Sequence, residues 1–237
     1  MRIVAVFDSN IGIINIFREY DFQLNYYVDN KFSSYGVYKH EEIAKRVLKI
    51  YEALKDEKRI IISDLDAAGI LHQKENVFYG LESMKKFMTD KKILMLTSKN
   101  LSANNFLREK ISADFRTLDS TYLINSCLSL ADNFTVGKIL DEYLENISLN
   151  SFDLIFFGAS PFGLYKSFFM EKLKAHKILT NIDPILCDFS YIKENILRDY
   201  FFTSGDKRFF YFLAEDYLRR EGRLKKEEIL NISSWNM

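Results

Sequence analysis

Three consecutive isoleucines, Ile60 to Ile62, follow the charged run Lys55 to Arg59 and give way at once to Ser63-Asp64-Leu65-Asp66-Ala67-Ala68-Gly69. The apolar run is too short for a helix, and its β-branched residues suit a strand. A short continuous run of this kind reads as a strand buried on both faces of a parallel sheet. Such a sheet needs helices on both sides, which places the chain in the α/β class. In open α/β sheets the residues just past the carboxyl end of a strand face the ligand crevice. Ser63, Asp64, Leu65 and Asp66 are therefore the first place to look for chemistry.

The same plan recurs along the chain. Arg2 to Phe7 is a buried strand ending in Asp8-Ser9-Asn10-Ile11-Gly12. Asp8 and Ser9 are placed to cap the helix expected from Ile13 to Tyr20 by accepting from its free N–H groups, or to contact a ligand, and the two roles are compatible. Leu24 to Asp29 reads as a strand and Ser33-Ser34-Tyr35-Gly36 as a loop. His40 to Leu54 reads as an amphipathic helix with Ile43, Val47, Ile50, Tyr51 and Leu54 on one face. Ala67, Ala68 and Gly69 suit a helix packed closely on the sheet, continuing through His72. Asn76 to Tyr79 reads as a short strand and Gly80 to Met88 as a helix.

Lys91 to Leu96 restarts the plan, with the polar loop Thr97-Ser98-Lys99-Asn100 and a helix from Ser102 to Ile111. Asp114 to Leu118 reads as a strand, Leu123 to Leu130 and Val136 to Glu145 as helices, and Phe152 to Phe157 as a strand broken at Gly158. Ile182 to Asp188 reads as the last strand of this half. Helices are expected at Tyr191 to Arg198 and from Lys207 to about Arg219. The alternation implies βαβ units, and the similar openings at Met1 and Lys91 imply two sheet-containing halves.

Composition narrows the function classes. Lys+Arg and Asp+Glu are both 33, so no charge excess points to nucleic acid or an anionic membrane. Hydrophobic residues make up 48 %, which supports a real core. No apolar run is long enough to span a bilayer. The N-terminus begins a strand without the basic flank and apolar core of a signal peptide. Cys127 and Cys187 form no disulfide framework and no metal pattern, so a reducing cytoplasm is the expected setting. His40, His72 and His176 lie far apart, and no metal site is expected.

Read together, the loops resemble the glutamate racemase family. Phe7-Asp8-Ser9-Asn10-Ile11-Gly12 resembles its F-D-S-G-x-G start, and Ser34-Tyr35-Gly36 its P-Y-G loop. Ser63 to Gly69 falls at A-C-N-T-A-S-A, Leu96 to Leu101 at A-T-x-x-T-V, and Phe157 to Phe162 at L-G-C-T-H-Y. Cys187-Asp188 falls near V-D-S, and Thr203 to Phe210 at the T-G-D-x-x-x-F end. The order and spacing hold over nearly the whole chain. The resemblance implies two Rossmann-like or flavodoxin-like α/β domains, pseudo-symmetric, with mainly parallel sheets and a ligand cleft between them. The expected division is residues 1–90 plus 191–237 for the first domain and 91–190 for the second. The ligand-facing positions implied are Asp8, Ser9, Ser34, Tyr35, Gly36, Leu65, Asp66, Asn100, Ala159 and Ser160, with no cofactor and no metal.

The departures bear on the chemistry. The family's reaction removes the α-proton of glutamate with one cysteine thiolate and returns a proton from a second cysteine on the opposite face. Inversion needs an acid and a base poised on both faces of a planar carbanion. This sequence has Asp64 at the first cysteine position and Ala159 at the second. Alanine can neither take nor give a proton. An ordinary carboxylate, with pKa about 3.9, is a poor base for a carbon acid unless burial raises it. Leu65 and Pro161 remove hydrogen-bonding side chains, and Asp66 and Asp8 add acidity unfavourable to glutamate. Cys127 and Cys187 read as buried small hydrophobes, and His176, Tyr165 and Lys166 as helix-surface residues. The leading expectation is a diverged homologue without two-cysteine racemisation, a pseudoenzyme or a binding protein. The rivals are an active racemase-like isomerase and a one-base enzyme using Asp64 as sole catalytic residue, with a link to D-glutamate supply for peptidoglycan left open. Partners left open are a small amino-acid-like ligand and a second copy in a homodimer, with no nucleic acid and no membrane.

Overall fold

A computed structural model describes residues 4–17, 24–33, 35–103, 106–189, 200–225 and 229–235. The first half begins with β1 (Val4–Asp8), the 3-10 helix Ile11–Ile16 and β2 (Leu24–Val28). It continues with α1 (His40–Leu54), β3 (Arg59–Ile62), α2 (Leu65–Leu71), β4 (Val77–Phe78) and α3 (Leu81–Met88). Then come β5 (Lys92–Thr97), α4 (Lys99–Ala103), α5 (Phe106–Lys110), β6 (Asp114–Asp119), α6 (Thr121–Leu128) and α7 (Asn133–Leu144). The chain proceeds through β7 (Leu154–Phe157), the 3-10 helix Ser160–Tyr165, α8 (Lys166–Lys172), β8 (Ile178–Thr180) and α9 (Ile182–Phe189). It ends with β9 (Tyr200–Thr203), α10 (Lys207–Arg220) and β10 (Ile232–Ser234).

The strands form two sheets, one of order β10-β9-β2-β1-β3-β4 and one of order β6-β5-β7-β8, and every pairing is parallel. Phe7 sits level with Tyr27 and with Ile62, so β1 is the middle strand on which the first half is registered. Alternation along each strand divides the apolar residues between two faces. Ala5, Phe7, Ile60 and Ile62 pack with Ile43, Val47, Ile50 and Leu54 of α1. Val4, Val6 and Ile61 pack with the first 3-10 helix and with Phe210, Ala214 and Leu218 of α10. In the second sheet Leu94, Leu96, Ile155 and Phe157 face α6, α7 and Phe169 of α8. Ile93, Met95, Leu154 and Phe156 face the other way and join the core that holds Ala5 and Phe7. That shared core sets the carboxyl ends of β1 and β3 against those of β5 and β7. No helix among the described residues is long and apolar enough to cross a membrane.

Most elements lie where the sequence places them, and several do not. The cap of the first helical segment is Asn10, whose side chain accepts from the Gly12 N–H at 2.7 Å, and the segment is 3-10 rather than α. Asp8 and Ser9 instead turn their side chains to other partners. Residues 18–20 of the expected helix and all of 191–199 lie outside the described residues. Of the helix expected over Ser102 to Ile111, the described residues are helical at Lys99–Ala103 and Phe106–Lys110, and residues 104–105 lie outside the described residues.

The stretch Ile182 to Asp188, read as a strand, is the helix α9, and the strand precedes it as β8. A short apolar run does not separate strand from helix by periodicity. The helix is decided by its first turn. Asp183 accepts from the Thr180 N–H at 2.7 Å and hydroxyl at 3.0 Å, and Pro184 falls where a missing N–H costs nothing. Cys187 is therefore exposed on α9 rather than a buried small hydrophobe, while Cys127 is buried. Tyr165 is 8 % exposed and packs in the second core rather than lying on a helix surface. Tyr51 is only half-buried and places its hydroxyl on Asn76. Neither α8 nor β10 was expected as an element in its own right; β10 pairs with β9 in register Ile232 to Phe201.

Candidate functional site

The carboxyl ends of β1, β3, β5 and β7 converge on one cavity. Ser9, Tyr35, Gly36, Asp64, Leu65, Asp66, Ala159 and Ser160 line it, joined by Asn10, Ser98, Ile124, Gly158 and Pro161. Asp8 lies behind the wall, fully buried. Asn100 points elsewhere: its amide donates to the carbonyls of Tyr35 at 3.1 Å and Tyr38 at 2.9 Å. Ser34 lies outside the described residues. The cavity volume is about 20 Å³. A single water needs about 10–15 Å³ on this measure, so the space is closed down to one or two waters.

Asp64 follows β3 and caps α2, accepting from the Ala67 N–H at 2.9 Å on one oxygen and from the Ser9 hydroxyl on the other. Asp8 accepts from the Ser63 hydroxyl at 2.5 Å, the Ser160 hydroxyl at 2.9 Å and the Asn10 N–H at 3.1 Å. Asp66 accepts from the Ser98 hydroxyl at 2.9 Å. Hydroxyls and amides thus cover three carboxyl groups, and among the described residues no cation lines the cavity. The cation of this network, Arg46, forks onto Asp29 at 2.7 and 2.9 Å. The Tyr35 hydroxyl also donates to Asp29, at 2.8 Å, and so faces away from the cavity chemistry.

Burial without a counter-charge sets the electrostatics. Asp8 is pushed well above the usual carboxylate range by burial first and then by the charge of Asp64, with its hydroxyl and amide donors acting the other way. Asp64 is raised by burial, against the donors on Ser9 and Ala67. Asp66 is pushed up to about 8 by desolvation and by Asp64, although the residue keeps some solvent exposure that screens part of the effect. Tyr35 is raised by burial and by Asp29. Among the described residues no group of His, Cys, Asp or Glu has the arrangement to hold a metal ion.

Ser63 and Ser98, in loops that directly follow β3 and β5, turn out to donate to the buried carboxyls, a role their positions after strand ends made readable. Two further site residues, Asn15 and Asn181, gave no sequence signal. Asn15 joins the two 3-10 helices by donating to the carbonyls of Gly12 at 2.8 Å and Ser160 at 3.0 Å, and Asn181 donates to the Ser63 carbonyl at 2.5 Å. A larger cleft of about 500 Å³ lies elsewhere, between residues 130–133, 163–168 and the end of α10. Its Lys166 and Arg220 are paired with Asp183 and Asp216, and the buried ionisable cluster is not there.

Two parallel sheets meeting at their carboxyl ends around a polar cavity define an α/β protein with its site between sheets. No protein-family model and no curated protein matches the chain. Solved structures do. Glutamate racemase isoform RacE1 from Bacillus anthracis superposes with a TM-score of 0.77 at 18 % identity, covering 99 % of this chain and 97 % of that one. Glutamate racemase from Thermus thermophilus, solved with β-chloro-D-alanine, gives 0.80 at 13 % identity over 99 % and 96 %. Aspartate racemase from Picrophilus torridus gives 0.52 at 12 % identity over 96 % and 97 %. The fold is that of the glutamate and aspartate racemases, over essentially the full length of the chain.

Proposed function

We propose that this chain uses the racemase fold as a small-ligand-binding protein and does not racemise amino acids through two thiols. One observation carries the reading. Asp64 and Ala159, which the resemblance matches to the family's two cysteines, line the same cavity from different sheets, and only one of them carries a group able to transfer a proton. Ala159 has no such group at all, and both oxygens of Asp64 are engaged by Ser9 and Ala67. Inversion requires a proton donor and acceptor on opposite faces, and one face here is inert. Dicarboxylate binding is opposed as well, because the lining has three carboxyl neighbours and no cation. The proposed domains are residues 1–90 with 191–237, and 91–190. The strands of the larger sheet come from the first set and those of the smaller from the second.

A second reading is favoured by the raised pKa of buried Asp64, which makes it a better base than an ordinary carboxylate. In that reading Asp64 acts alone on one face. The test is α-proton exchange. Protein is incubated in deuterated water with L- and D-glutamate and with aspartate, and the Cα–H signal is followed by NMR. No exchange is expected. Exchange with inversion overturns the proposal, and exchange with retention assigns the one-base reading, with Asp64→Asn then abolishing it.

A further inference from the structure

The polar ties that hold the two sheets together across the cavity differ in what they depend on. Asn100 to the carbonyls of Tyr35 and Tyr38, Asn181 to Ser63 and Asn15 to Ser160 are amide-to-carbonyl bonds, indifferent to pH. Two others end on carboxyl groups: Ser160 to Asp8 and Ser98 to Asp66, both at 2.9 Å. Ser98 is fixed for its role. Its oxygen receives the Leu101 N–H at 3.1 Å, which leaves its own proton for Asp66, and the backbone of Gly36 lies so close that a methyl group there would collide with the Ser98 side chain.

We propose that the Ser98–Asp66 contact is a proton-operated latch on the cleft: the sheets stay closed while Asp66 carries a proton, and its loss opens the cavity to ligand. The use of the opening rests on the ligand-binding reading above; the latch itself does not. The geometry makes the proton matter. Asp64 and Asp66 stand in the cap and first turn of one short helix, so their separation is set by α2 and neither can retreat from the other while the cleft is closed. The N-terminus of α2 favours an anion, and Asp64 already occupies it through the Ala67 N–H. The groups that act on Asp66 are Asp64 beside it and Ser98 from the second sheet, with Tyr35 of the 3-10 helix Tyr35–Val37 in the same cavity lining; Asp8 and Asp29 act on Asp64 and Tyr35 from further back. Arg46 of α1 is held by Asp29. A second negative charge on Asp66 is therefore uncompensated in the closed cavity, and hydration on opening relieves it. Burial and Asp64 together hold Asp66 protonated up to about pH 8.

Amide hydrogen exchange read by mass spectrometry tests this, from pH 5 to 9, corrected for the intrinsic pH dependence of exchange. The peptides to follow carry Leu65–Leu71 and Lys99–Ala103. For a group that ionises only on opening, the opening constant of the wild type rises up to about tenfold per pH unit until the closed-state pKa is reached, then levels off. Asp66→Asn, a neutral isostere that still accepts from Ser98, opens less above pH 7 and has a shallower slope than the wild type, the remainder coming from Asp8 and Asp64. Ser98→Ala opens more at pH 5, where the tie is otherwise intact. A flat wild-type profile overturns the proposal, with or without a folded variant. Asp66→Asn keeping the wild-type slope overturns the assignment to Asp66 and moves the proton to Asp8 or Asp64. Deuterium incorporation into glutamate with inversion, read separately, would remove the non-racemising function and leave the latch standing.

Discussion

Ser160, at the start of a 3-10 helix in the second half, donates its hydroxyl across the cleft to Asp8 at the end of β1, at 2.9 Å. The two residues are 152 positions apart and both are buried. Around this bond the backbones touch closely: a methyl on Gly12 would sit 2.5 Å from the Ser160 carbonyl carbon. The junction of the two halves is thus a hydrogen bond to a buried carboxyl, walled by a glycine. Removing the donor leaves Asp8 with Ser63 and Asn10 alone. Ser160→Ala is expected to destabilise the fold by about 1–3 kcal/mol, the cost of under-satisfying a buried polar group. Urea unfolding at neutral pH checks it; a loss below about 0.5 kcal/mol would mean that water replaces the hydroxyl at no cost.

The three raised carboxyls fix the sign of the pH dependence. A carboxyl whose folded pKa lies above its unfolded value contributes stability in full below the unfolded pKa and loses it as pH rises through the folded one. Asp8, Asp64 and Asp66 all shift upward. Stability is expected to be greatest in mild acid and to fall as pH rises from about 4 through about 8, where Asp66 loses its proton. The slope per carboxyl is at most about 1.4 kcal/mol per pH unit. Asp132 and Glu215 shift the other way through hydrogen-bond donors, and their contribution is lost only in acid. Thermal melts at pH 5.5, 7 and 8.5 read the trend. Melting temperatures that rise with pH would show the carboxyls to be neutralised by something other than protons.

Asp64 combines a stabilising role with a destabilising one. As N-cap of α2 it satisfies the Ala67 N–H, and as a buried anion it faces Asp8 and Asp66. Asp64→Asn keeps a capping oxygen and removes the charge, whereas Asp64→Ala removes both. The alanine variant is expected to be less stable than the asparagine variant by about 1 kcal/mol, the usual worth of a cap. Denaturation of the two variants side by side makes the comparison, and equal stabilities would show that the cap carries no weight here.

Placing thiols at positions 64 and 159 is not expected to produce racemisation. In Asp64→Cys with Ala159→Cys, the residues Leu65, Asp66 and Pro161 still line the cavity, with Asp8 behind them. A dicarboxylate would meet two remaining carboxyls and no cation. We expect no deuterium at Cα of glutamate from the double variant. Exchange above the wild-type background would show that two cysteines alone were missing and that the cleft admits glutamate readily.

Most of the buried strands were legible because a short continuous apolar run announces itself by composition, though β8, β9 and β10 were not read as strands. Ile60 to Ile62 and Phe152 to Phe157 have no other way to be buried at that length, and α1 was readable end to end from the spacing of Ile43, Val47, Ile50 and Leu54. Ile182 to Asp188 was not. Its apolar pattern fits strand and helix equally, and the decision came from Thr180 and Asp183 meeting at the turn. The stretches that carry the site were readable too, since they follow strand ends. Their pairings were not.

What the sequence alone determined is the class and the chemistry at hand: parallel strands that must be covered on both faces, acidic loops after two of them, and an alanine at position 159 after a third. Only the tertiary structure decided which groups meet. Asp8 bonds Ser160, Asp66 bonds Ser98, Arg46 is held by Asp29, and the cavity shrinks to about 20 Å³. The physical reason is range. Strand and helix formation follow from neighbours a few residues apart, while charge and desolvation act through space between segments that only a shared core brings together.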